Sequence, residues 1–383
     1  MRLAFLSIGR HIHTERWIRW FAERGDDCHL LTVQPGNIPG VTVHDIRSGF
    51  GPKPLRYLWS LLAVKRLLGR IEPDLLNTHF LTGYGYWGHY SGMHPNILTV
   101  WGDDVYVTPF ESGLKHRLAC SALRSCDALT GDSTDILKIA AGLGADPERS
   151  FRVLWGVDFD VFRKRDASDW RHGLGIGDDD IVYFSPRSYT QPYYNIDVII
   201  AAAARLKDRV PRARFVFSGY EGSPAPFEAK VRDAGLSDVT HVLGRIPHDE
   251  FALALAGCDV FLSVPSVDAT AVSLLEAMAS SAAIIISDLP SSVEWIRHDY
   301  SGLVVAPRNE DQLLAAMLHY ADDAESRREH GCRAAEDVRR VAGFEQNMQL
   351  VSEIFDRALG RDDAQWPAAV SLSALAGGGE SWT

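Results

Sequence analysis

The chain has 383 residues, of which 46% are hydrophobic and 23% charged, and its formal net charge is −11 at pH 7. This composition is ordinary for a globular protein long enough for two domains, and the acidic balance argues against nucleic acid as a partner. The five cysteines are odd in number and form no CxxC pair, which argues against a disulfide framework or a cysteine zinc site and indicates reduced thiols.

The N-terminus is predicted to be the first buried strand of the fold. Its apolar run, LAFLSIG at 3–9, is shorter than the hydrophobic region of a signal peptide and is not followed by a small-residue cleavage site. No run of about 18 apolar residues occurs in the sequence, so no transmembrane helix is predicted. We therefore expect a cytoplasmic protein, with at most a peripheral association with the inner face of the membrane.

Short apolar runs alternate with helical periodicity along the first part of the chain. In TERWIRWFAERG, for example, Trp17, Trp20 and Phe21 share one helical face, and Gly25 ends the helix. Continuous apolar strands that alternate with helices predict a parallel sheet covered on both faces. The predicted strands are 3–9, 29–33, 75–80, 96–102, 127–133 and 151–158.

The same pattern restarts after a polar, glycine-rich segment, RKRDASDWRHGLGIGDDD at 163–180, which is predicted to be a linker. The second set of predicted strands is 181–187, 214–220, 240–246, 259–265, 283–290 and 302–307. The predicted fold class is α/β, with two doubly wound, Rossmann-like domains that face each other across a cleft. Their predicted bounds are 1–165 and 166–345, followed by a helix at 346–360 that returns to the first domain and a mobile tail at 361–383.

The segment SVPSVDATAVSLLEAMASSAAIIISDLP at 263–290 carries two acids that packing alone does not require. Asp268 lies in the predicted loop, and Glu276 follows eight positions later in an apolar helix. Thr270 is predicted to cap that helix, which would begin near Ala271 with free amides and a positive dipole end suited to phosphate. One nucleotide sugar would satisfy all of these groups. The alternative is a capped helix with a solvent-facing Glu276.

This segment resembles the E-x7-E motif of retaining glycosyltransferases with the GT-B fold, large family 4 (glycosyltransferase group 1). Asp in the first position and the string ATAVSLLEAMA are similar to a common variant of that motif. The resemblance extends over about 1–357. Other similar segments are IHTERWIRWFAERG in the first helix, VWGDDV in the acceptor-side loop, LWGVDFDVF in the domain-crossing segment, and SGY, VLGRIPHDEF and CDVFLSVPS in the nucleotide-binding half.

The resemblance implies roles for individual residues on the donor side. Glu276 would bind the ribose hydroxyls and Asp268 the donor sugar. Arg187, at the end of predicted strand 181–187, matches the arginine that neutralises the diphosphate, and its planar guanidinium suits phosphate oxygens. The other implied donor-binding positions are Gly219, Ile246 (through its backbone), Asn195, and the backbone around Ala269, Thr270, Ala271 and Val272.

Two positions depart from the family pattern. In PRSYTQPYYNID, Tyr194 and Asn195 stand about where the family has a phosphate-binding lysine. In VWGDDV, Trp101 replaces a histidine of the acceptor side. Asp104 matches the retained aspartate and is the candidate for orienting or deprotonating the acceptor hydroxyl. The alternative is that Asp103 and Asp104 only shape a turn.

Three further residues are predicted to lie on the acceptor or phosphate side. Gly9 ends the first predicted strand, His13 precedes the first helix, and His79 ends strand 75–80. Ligands of parallel sheets bind beyond the carboxyl ends of strands, which is where these residues fall. The alternative for each histidine is a hydrogen-bonded structural group.

The segment SGFGPKPLRYLWSLLAVKRLLGR contains basic residues, no acid, and an amphipathic pattern of leucine and aromatic residues. Such a helix, at 53–70, could lie on an anionic membrane or meet a phosphorylated acceptor. The alternative is a helix that covers the sheet and has a solvated basic edge.

The predicted reaction is the transfer of a hexose, with retention, from a nucleotide diphosphate sugar (UDP in preference to GDP) to the hydroxyl of a small molecule, a glycan or a lipid-linked glycan. The resemblance implies that the departing phosphate takes the acceptor proton. No cofactor and no metal ion is expected, because helix amides and an arginine can neutralise the diphosphate. The alternative is a catalytically degenerate subunit that binds a nucleotide sugar or regulates a partner. A nicotinamide-dependent dehydrogenase is disfavoured, since no GxGxxG follows a strand.

Overall fold

The protein is represented by a computed structural model that describes residues 1–47, 52–219, 223–361 and 366. No helix within these ranges combines the length and the hydropathy needed to cross a membrane. The tail predicted at 361–383 lies, apart from residues 361 and 366, outside the described residues.

The chain divides into two compact units. Met1–Trp155 and Glu345–Thr383 form the first unit, and Gly156–Phe344 forms the second. The sequence prediction placed the boundary after residue 165. The structure places 156–165 in the second unit, because Val157 pairs with Gly343 and the buried ring of Phe162 lies 6.2 Å from that of Phe251.

The first unit is built on a parallel sheet that, in the described part of the chain, has seven strands in the order β3-β2-β1-β4-β5-β6-β7. The strands are β1 (Arg2–Leu6), β2 (Asp27–Thr32), β3 (Val41–Asp45), β4 (Leu75–His79), β5 (Asn96–Thr99), β6 (Ala128–Gly131) and β7 (Ser150–Arg152). The helices that accompany them are α1 (Ile12–Glu23), α2 (Lys53–Ile71), α3 (Tyr84–Ser91), α4 (Asp103–Tyr106), α5 (Gly113–Ser125) and α6 (Thr134–Gly142).

Burial in this sheet follows the apolar pattern of the sequence. Residues 3–6 of the central strand β1 are fully buried, as expected for a parallel strand covered on both faces. Helix α1 buries Trp17 and Phe21 on one face and is followed by Gly25, whose φ of +91° suits glycine. The sequence analysis missed β3. This edge strand is only partly buried and contains His44 and Asp45, so it lacks the continuous apolar run that marks the inner strands.

The second unit is also built on a parallel sheet, with six strands among the described residues in the order β10-β9-β8-β11-β12-β13. The strands are β8 (Ile181–Ser185), β9 (Ala213–Ser218), β10 (Thr240–Gly244), β11 (Val260–Ser263), β12 (Ala283–Ser287) and β13 (Leu303–Val305). The helices are α7 (Ser168–Gly173), α8 (Ile196–Lys207), α9 (Ala225–Asp233), α10 (His248–Gly257), α11 (Val272–Ala279), α12 (Pro290–Val293), α13 (Glu310–Asp322) and α14 (Ala324–Val341).

The last described helix, α15 (Phe344–Ala358), packs on the first unit. The ring of Phe355 stacks on that of Phe21 with centroids 5.1 Å apart. The indole of Trp20 donates a hydrogen bond of 2.8 Å to Glu345, and Asn347 accepts one of 2.9 Å from the backbone of Leu154. The C-terminal part of the described chain is therefore held by α1 and by the segment after β7.

The segment 163–180 is not a free linker, and that prediction was wrong. It contains α7, and the guanidinium of Arg171 donates to the carbonyls of Gly257, Gly177 and Asp180. A Cβ atom on Gly257 would lie 2.9 Å from the ring of Trp170, so the two segments pack closely. Polar composition suggested a linker, but here the polar groups bind the backbone of the second unit.

Each sheet reverses its strand order once. In the first unit the reversal lies between β1 and β4, and in the second it lies between β8 and β11. Ligands of open parallel sheets bind beyond the carboxyl ends of the strands at such a reversal. The residues that follow these four strands are therefore the first candidates for a functional site.

Candidate functional site

The strands at the reversal in the second unit end in an ion pair. Arg187 follows β8, Asp268 follows β11, and the guanidinium donates a hydrogen bond to the carboxylate. Their side chains are 10% and 19% exposed, respectively. The sequence analysis selected both residues, and the structure brings them into contact although 81 positions separate them.

The guanidinium of Arg187 is held in place by more than the ion pair. It lies 4.1 Å from the ring centroid of Tyr194, and its Nη1 atom is 3.5 Å from the hydroxyl of Ser273. Burial lowers the pKa of Arg187, but Asp268 and the neighbouring tyrosines raise it, and the net shift is upward. The group is therefore a permanent cation. Its Nε atom is buried and has no hydrogen-bond acceptor among the described residues.

Helix α11 begins beside this arginine with its N-terminus uncapped. The N-cap residue is Ala271, whose side chain makes no capping hydrogen bond. The prediction that Thr270 caps the helix was wrong, because its hydroxyl accepts a hydrogen bond of 3.2 Å from Trp295, which lies 25 positions further on. Thr270 is buried. Since Nη1 of Arg187 lies 3.5 Å from the hydroxyl of Ser273 in the first turn of α11, the positive end of the helix dipole adjoins this arginine.

Glu276 points into the protein rather than into solvent. It is 5% exposed, and its Oε1 atom lies 4.0 Å from Nε2 of His248, the first residue of α10. The ring of His248 meets that of Phe162 edge-on at 5.0 Å. The alternative of a solvent-facing Glu276 is therefore excluded. The sequence analysis missed His248, although it falls within the quoted string VLGRIPHDEF.

Asn195, predicted as a donor-binding position, makes several contacts within the second unit. It is fully buried with a φ of +51°. Its amide nitrogen donates to the carbonyl of Val264 and to the hydroxyl of Ser266, and its amide oxygen accepts from Arg308 at 2.9 Å. These contacts occupy the amide.

Gly219 and Ile246 lie near the ends of β9 and β10. A Cβ atom on Gly219 would lie 1.8 Å from the ring of Tyr189, so only glycine fits this position. The amide of Gly219 donates to the carbonyl of Gly244 at 3.0 Å. Ile246 is partly buried in the loop before α10. Both predicted donor positions thus fall beside strands that end at the same edge of the sheet.

In the first unit, the reversal lies beside a group of stacked rings. We call this group the aromatic cluster; its members are His11, His13, Trp17, His79, Phe80, Trp101 and Trp155. Trp101 is central, with ring centroids 4.2 Å from Phe80, 4.4 Å from Trp155 and 4.9 Å from His11. Its indole Nε1 is buried without an acceptor in the described ranges. The sequence analysis considered Trp101 only as the residue that replaces a histidine of the family pattern.

Two of the residues predicted for this side are buried within the first unit. Gly9 is buried, its amide donates to Thr32, and a Cβ atom on neighbouring Gly36 would lie 2.2 Å from its carbonyl oxygen. His79 is fully buried, and its Nε2 atom lies 2.9 Å from the amide oxygen of Asn77. Burial lowers the pKa of His79 to about 3. These contacts fit the structural alternative for His79, and the place of both residues on the acceptor or phosphate side stays a prediction. His13 is partly buried in the cluster, 5.4 Å from Trp155.

Asp104 shapes the turn after β5. Its carboxylate accepts from the backbone of Leu81 at 2.6 Å, Gly102 at 2.7 Å and Trp101 at 3.1 Å. It is 2% exposed, and burial raises its pKa to about 6. These contacts fit the alternative that Asp104 shapes a turn, and its role on an acceptor hydroxyl stays a prediction. Asp103, beside it, is exposed.

Two family models match the chain. Residues 166–337 match the family described as glycosyl transferases group 1. Residues 2–133 match the family described as glycosyl transferase 4-like. The first match lies within the second unit and the other within the first, and together they cover most of the chain.

The chain is similar in sequence to the D-inositol 3-phosphate glycosyltransferase of Stackebrandtia nassauensis. It is 29% identical over 214 residues, which cover 52% of this chain and 47% of the relative. A second such enzyme, from Kribbella flavida, is 28% identical over 204 residues and is also covered to 47%. The chain thus spans about half the length of these two relatives.

Solved structures match over nearly the whole chain. HepE of Anabaena in complex with UDP-glucose gives a TM-score of 0.80 at 14% identity, over 93% of this chain and 100% of that one. At this low sequence identity, the structural similarity shows the fold alone. The two units described above thus have the architecture of that protein.

Proposed function

We propose that the chain is a glycosyltransferase of the GT-B fold, which transfers a sugar from a nucleotide diphosphate sugar to an acceptor hydroxyl. The matches of its two units to models described as glycosyl transferases group 1 and glycosyl transferase 4-like support this proposal. The observation that supports this most strongly is the partly buried pair of Arg187 and Asp268 beside the uncapped start of α11. A fixed cation and a helix N-terminus form a binding site for a diphosphate.

Arg187 is proposed to bind the diphosphate and to stabilise the charge that builds on it as the glycosidic bond breaks. Tyr194 and Asp268 hold its guanidinium in place before a ligand arrives, so little ordering remains for the binding step. Preorganised charge of this kind commonly makes the largest contribution to catalysis. The buried Nε donor supplies a hydrogen bond that the described protein groups do not use.

The first amides of α11, at Val272 and Ser273, are proposed to bind the same diphosphate. Glu276, one turn further on and buried, is proposed to accept hydrogen bonds from the ribose hydroxyls. A carboxylate has two oxygens that accept hydrogen bonds, and two vicinal hydroxyls are suitable donors to them. Asp268 is then proposed to accept from hydroxyls of the donor sugar.

We propose retention at the anomeric carbon, with the departing phosphate taking the proton of the acceptor hydroxyl. Asp104 is not proposed as the base, because three backbone amides occupy its carboxylate. No metal ion is proposed for the chemistry, since Arg187 and the α11 amides can neutralise the diphosphate. Addition of EDTA should therefore leave the transfer rate unchanged, and a loss of rate restored by a divalent cation would contradict this proposal.

A UDP-hexose is the proposed donor. The structural likeness to HepE, which was solved with UDP-glucose, supports this choice. The acceptor is proposed to approach the aromatic cluster, whose ring faces suit a sugar ring or another amphipathic acceptor, such as a small molecule, a glycan or a lipid-linked glycan.

Thermal unfolding in the presence of UDP-, GDP- and ADP-sugars tests the donor. A ligand at 100 times its dissociation constant should stabilise the protein by about 2.7 kcal/mol, and we expect the largest shift with a UDP-hexose. Labelled donor should then yield a labelled acceptor, which mass spectrometry would detect. Tight donor binding with neither transfer nor slow donor hydrolysis would contradict the enzymatic proposal.

A further inference from the structure

Helix α2 buries one face against the sheet in the ordinary way. Ser60, Val64, Leu68 and Ile71 are buried, and they recur at three- and four-residue spacing, as the core-facing side of a helix does. Val64, Leu68 and Ile71 pack in a core cluster with residues of β1 and β4. The role of α2 in the fold is thus satisfied by this face alone.

The opposite face of α2 is apolar as well. Leu55, Leu58, Trp59 and Leu62 are 42%, 50%, 50% and 48% exposed, respectively, and their spacing places them in one stripe along the helix. A surface helix ordinarily carries polar side chains there. A contiguous apolar stripe on a protein surface marks an interaction site.

Basic residues continue and flank this apolar stripe. Arg56, Lys65, Arg66 and Arg70 are all exposed, and the helix sequence KPLRYLWSLLAVKRLLGRI contains no acid. None of these four side chains forms an ion pair among the described residues. In a chain of net charge −11, an acid-free basic helix is a local exception.

An anionic lipid surface fits this combination better than other partners do. Half-exposed leucines and a tryptophan can enter the boundary between headgroups and acyl chains, while the cations meet lipid phosphates. A second copy of the chain fits less well, since packing α2 against α2 would bring like charges together with no acid to offset them. Nucleic acid would not use the leucine stripe.

We propose that α2 is a membrane-docking helix that lies in the plane of an anionic bilayer surface, with Leu55, Leu58, Trp59 and Leu62 inserted and the basic side chains at the headgroups. At 19 residues the helix is about 28 Å long. This inference does not depend on the proposed sugar transfer. It would place the first unit next to the lipid phase.

Vesicle sedimentation of the full chain tests the proposal. We expect binding to vesicles of phosphatidylcholine with phosphatidylglycerol at least about tenfold tighter than to phosphatidylcholine alone, and weaker binding at high salt. The variants Leu58→Glu/Leu62→Glu and Lys65→Glu/Arg66→Glu should each lower the partition coefficient on anionic vesicles by about tenfold or more. All four side chains are exposed, so the variants should fold, which circular dichroism would check.

Matched controls come from the second unit. Val293→Glu replaces an apolar residue that is 47% exposed, and Lys230→Glu/Arg232→Glu reverses two exposed charges on α9. Both controls should bind anionic vesicles like the parent protein. Equal losses in controls and α2 variants, or binding indifferent to phosphatidylglycerol, would overturn the proposal.

Light scattering without lipid tests whether a second copy of the chain, rather than a membrane, covers the apolar stripe of α2. We expect Leu58→Glu/Leu62→Glu to leave the mass in solution unchanged. If the parent protein were dimeric and this variant monomeric, a second copy would cover the stripe and the membrane proposal would fail. Quenching by brominated lipids adds a positional test, because Trp59→Phe should remove a large part of the quenched fluorescence.

Discussion

At the scale of single residues, Arg187 carries the charge that the proposed reaction needs. We expect Arg187→Ala to lower kcat/KM by about 100- to 1,000-fold, the usual loss when one preorganised transition-state donor is removed. Arg187→Lys should recover only part of this loss, because a lysine keeps the charge but not the planar fork or the stacking on Tyr194. Steady-state kinetics would measure both.

A matched substitution controls for the loss of a positive charge. Arg232 is exposed on α9, and Arg232→Ala should leave kcat/KM unchanged. Removal of Arg187 also leaves Asp268 partly buried without its partner, so the unfolding free energy should be measured in parallel. Full activity in a folded Arg187→Ala protein would contradict the assignment of the diphosphate site.

His79 should make the stability of the first unit depend on pH. Burial lowers the pKa of its imidazole to about 3 from an ordinary value of 6.5. Above pH 6.5 the ring is neutral in both the folded and the unfolded state. As the pH falls from 6.5 towards 3, the unfolded chain binds a proton that the folded protein excludes, so the free energy of unfolding decreases by up to about 1.4 kcal/mol per pH unit.

The variant His79→Gln tests this pH dependence, since glutamine does not titrate and can still donate to Asn77. The difference in unfolding free energy between the parent and the variant, measured by urea denaturation, should shrink or reverse between pH 6.5 and 4. A difference that stays constant with pH would show that the ring titrates normally in the folded state.

The roles of residues were predictable where they depended on the local sequence. The predictions failed where a residue's partner came from a distant part of the chain. Glu276 was selected because packing alone does not explain an acid in an apolar helix. The structure shows that this side chain is buried. Thr270 was misassigned as the helix cap, and its hydroxyl bonds instead to Trp295, 25 positions away. Asn195 bonds to Arg308, 113 positions away. No local pattern reveals such pairings.

At the scale of elements, the uncapped start of α11 should represent stability given up for function. We expect Ala271→Asp to stabilise the protein by about 1 kcal/mol, because a carboxylate at the N-cap satisfies free amides and favours the helix dipole. The same carboxylate should weaken diphosphate binding by at least about tenfold. Thermal unfolding and donor titration would measure the two effects.

The neutral variant Ala271→Ser separates capping from charge. It should also stabilise the helix but weaken donor binding less than Ala271→Asp does. Unchanged donor affinity in both variants would show that the amides of α11 do not meet the diphosphate.

A substitution in the turn after β5 should change the KM for the acceptor and not the affinity for the donor. Trp101 stacks on Phe80 and packs against the tilted ring of Trp155 in the first unit. We expect Trp101→Phe, which keeps an aromatic ring but removes the indole N–H, to raise the acceptor KM several-fold and to leave the donor dissociation constant unchanged. Kinetics at saturating donor, together with donor titration, would reveal the split, and an effect on donor affinity alone would contradict it.

Elements were predictable wherever burial left a continuous apolar run. Every described strand of the first sheet except β3, and all six described strands of the second, were located from such runs. The edge strand β3 has no such run, and it was missed. The segment 163–180 failed for the opposite reason, since its polar side chains, Arg171 above all, bind the backbone of the second unit rather than water.

At the scale of the whole molecule, two sheets of the same kind each present one reversal of strand order. The charged pair, the uncapped helix and Glu276 gather at the reversal of the second unit, while the rings gather at that of the first. The sequence-based fold class is confirmed by the two parallel sheets and by the solved structures of the same architecture. Which polar groups within these sites remain available to a ligand emerged only from the packing.

The central claim is that the second unit holds a nucleotide sugar with its ribose on Glu276. The most direct measurement is a calorimetric cycle that combines Glu276→Gln with the 2′-deoxy form of the best-bound nucleotide sugar, with Glu228→Ala on exposed α9 as the control. The account predicts that Glu276→Gln weakens binding of the parent ligand about ten- to 100-fold, and that removing the 2′-hydroxyl then costs little more. The account would be contradicted if Glu276→Gln bound the nucleotide sugar as tightly as the parent protein does. It would also be contradicted if removal of the 2′-hydroxyl lowered the affinity equally in both proteins.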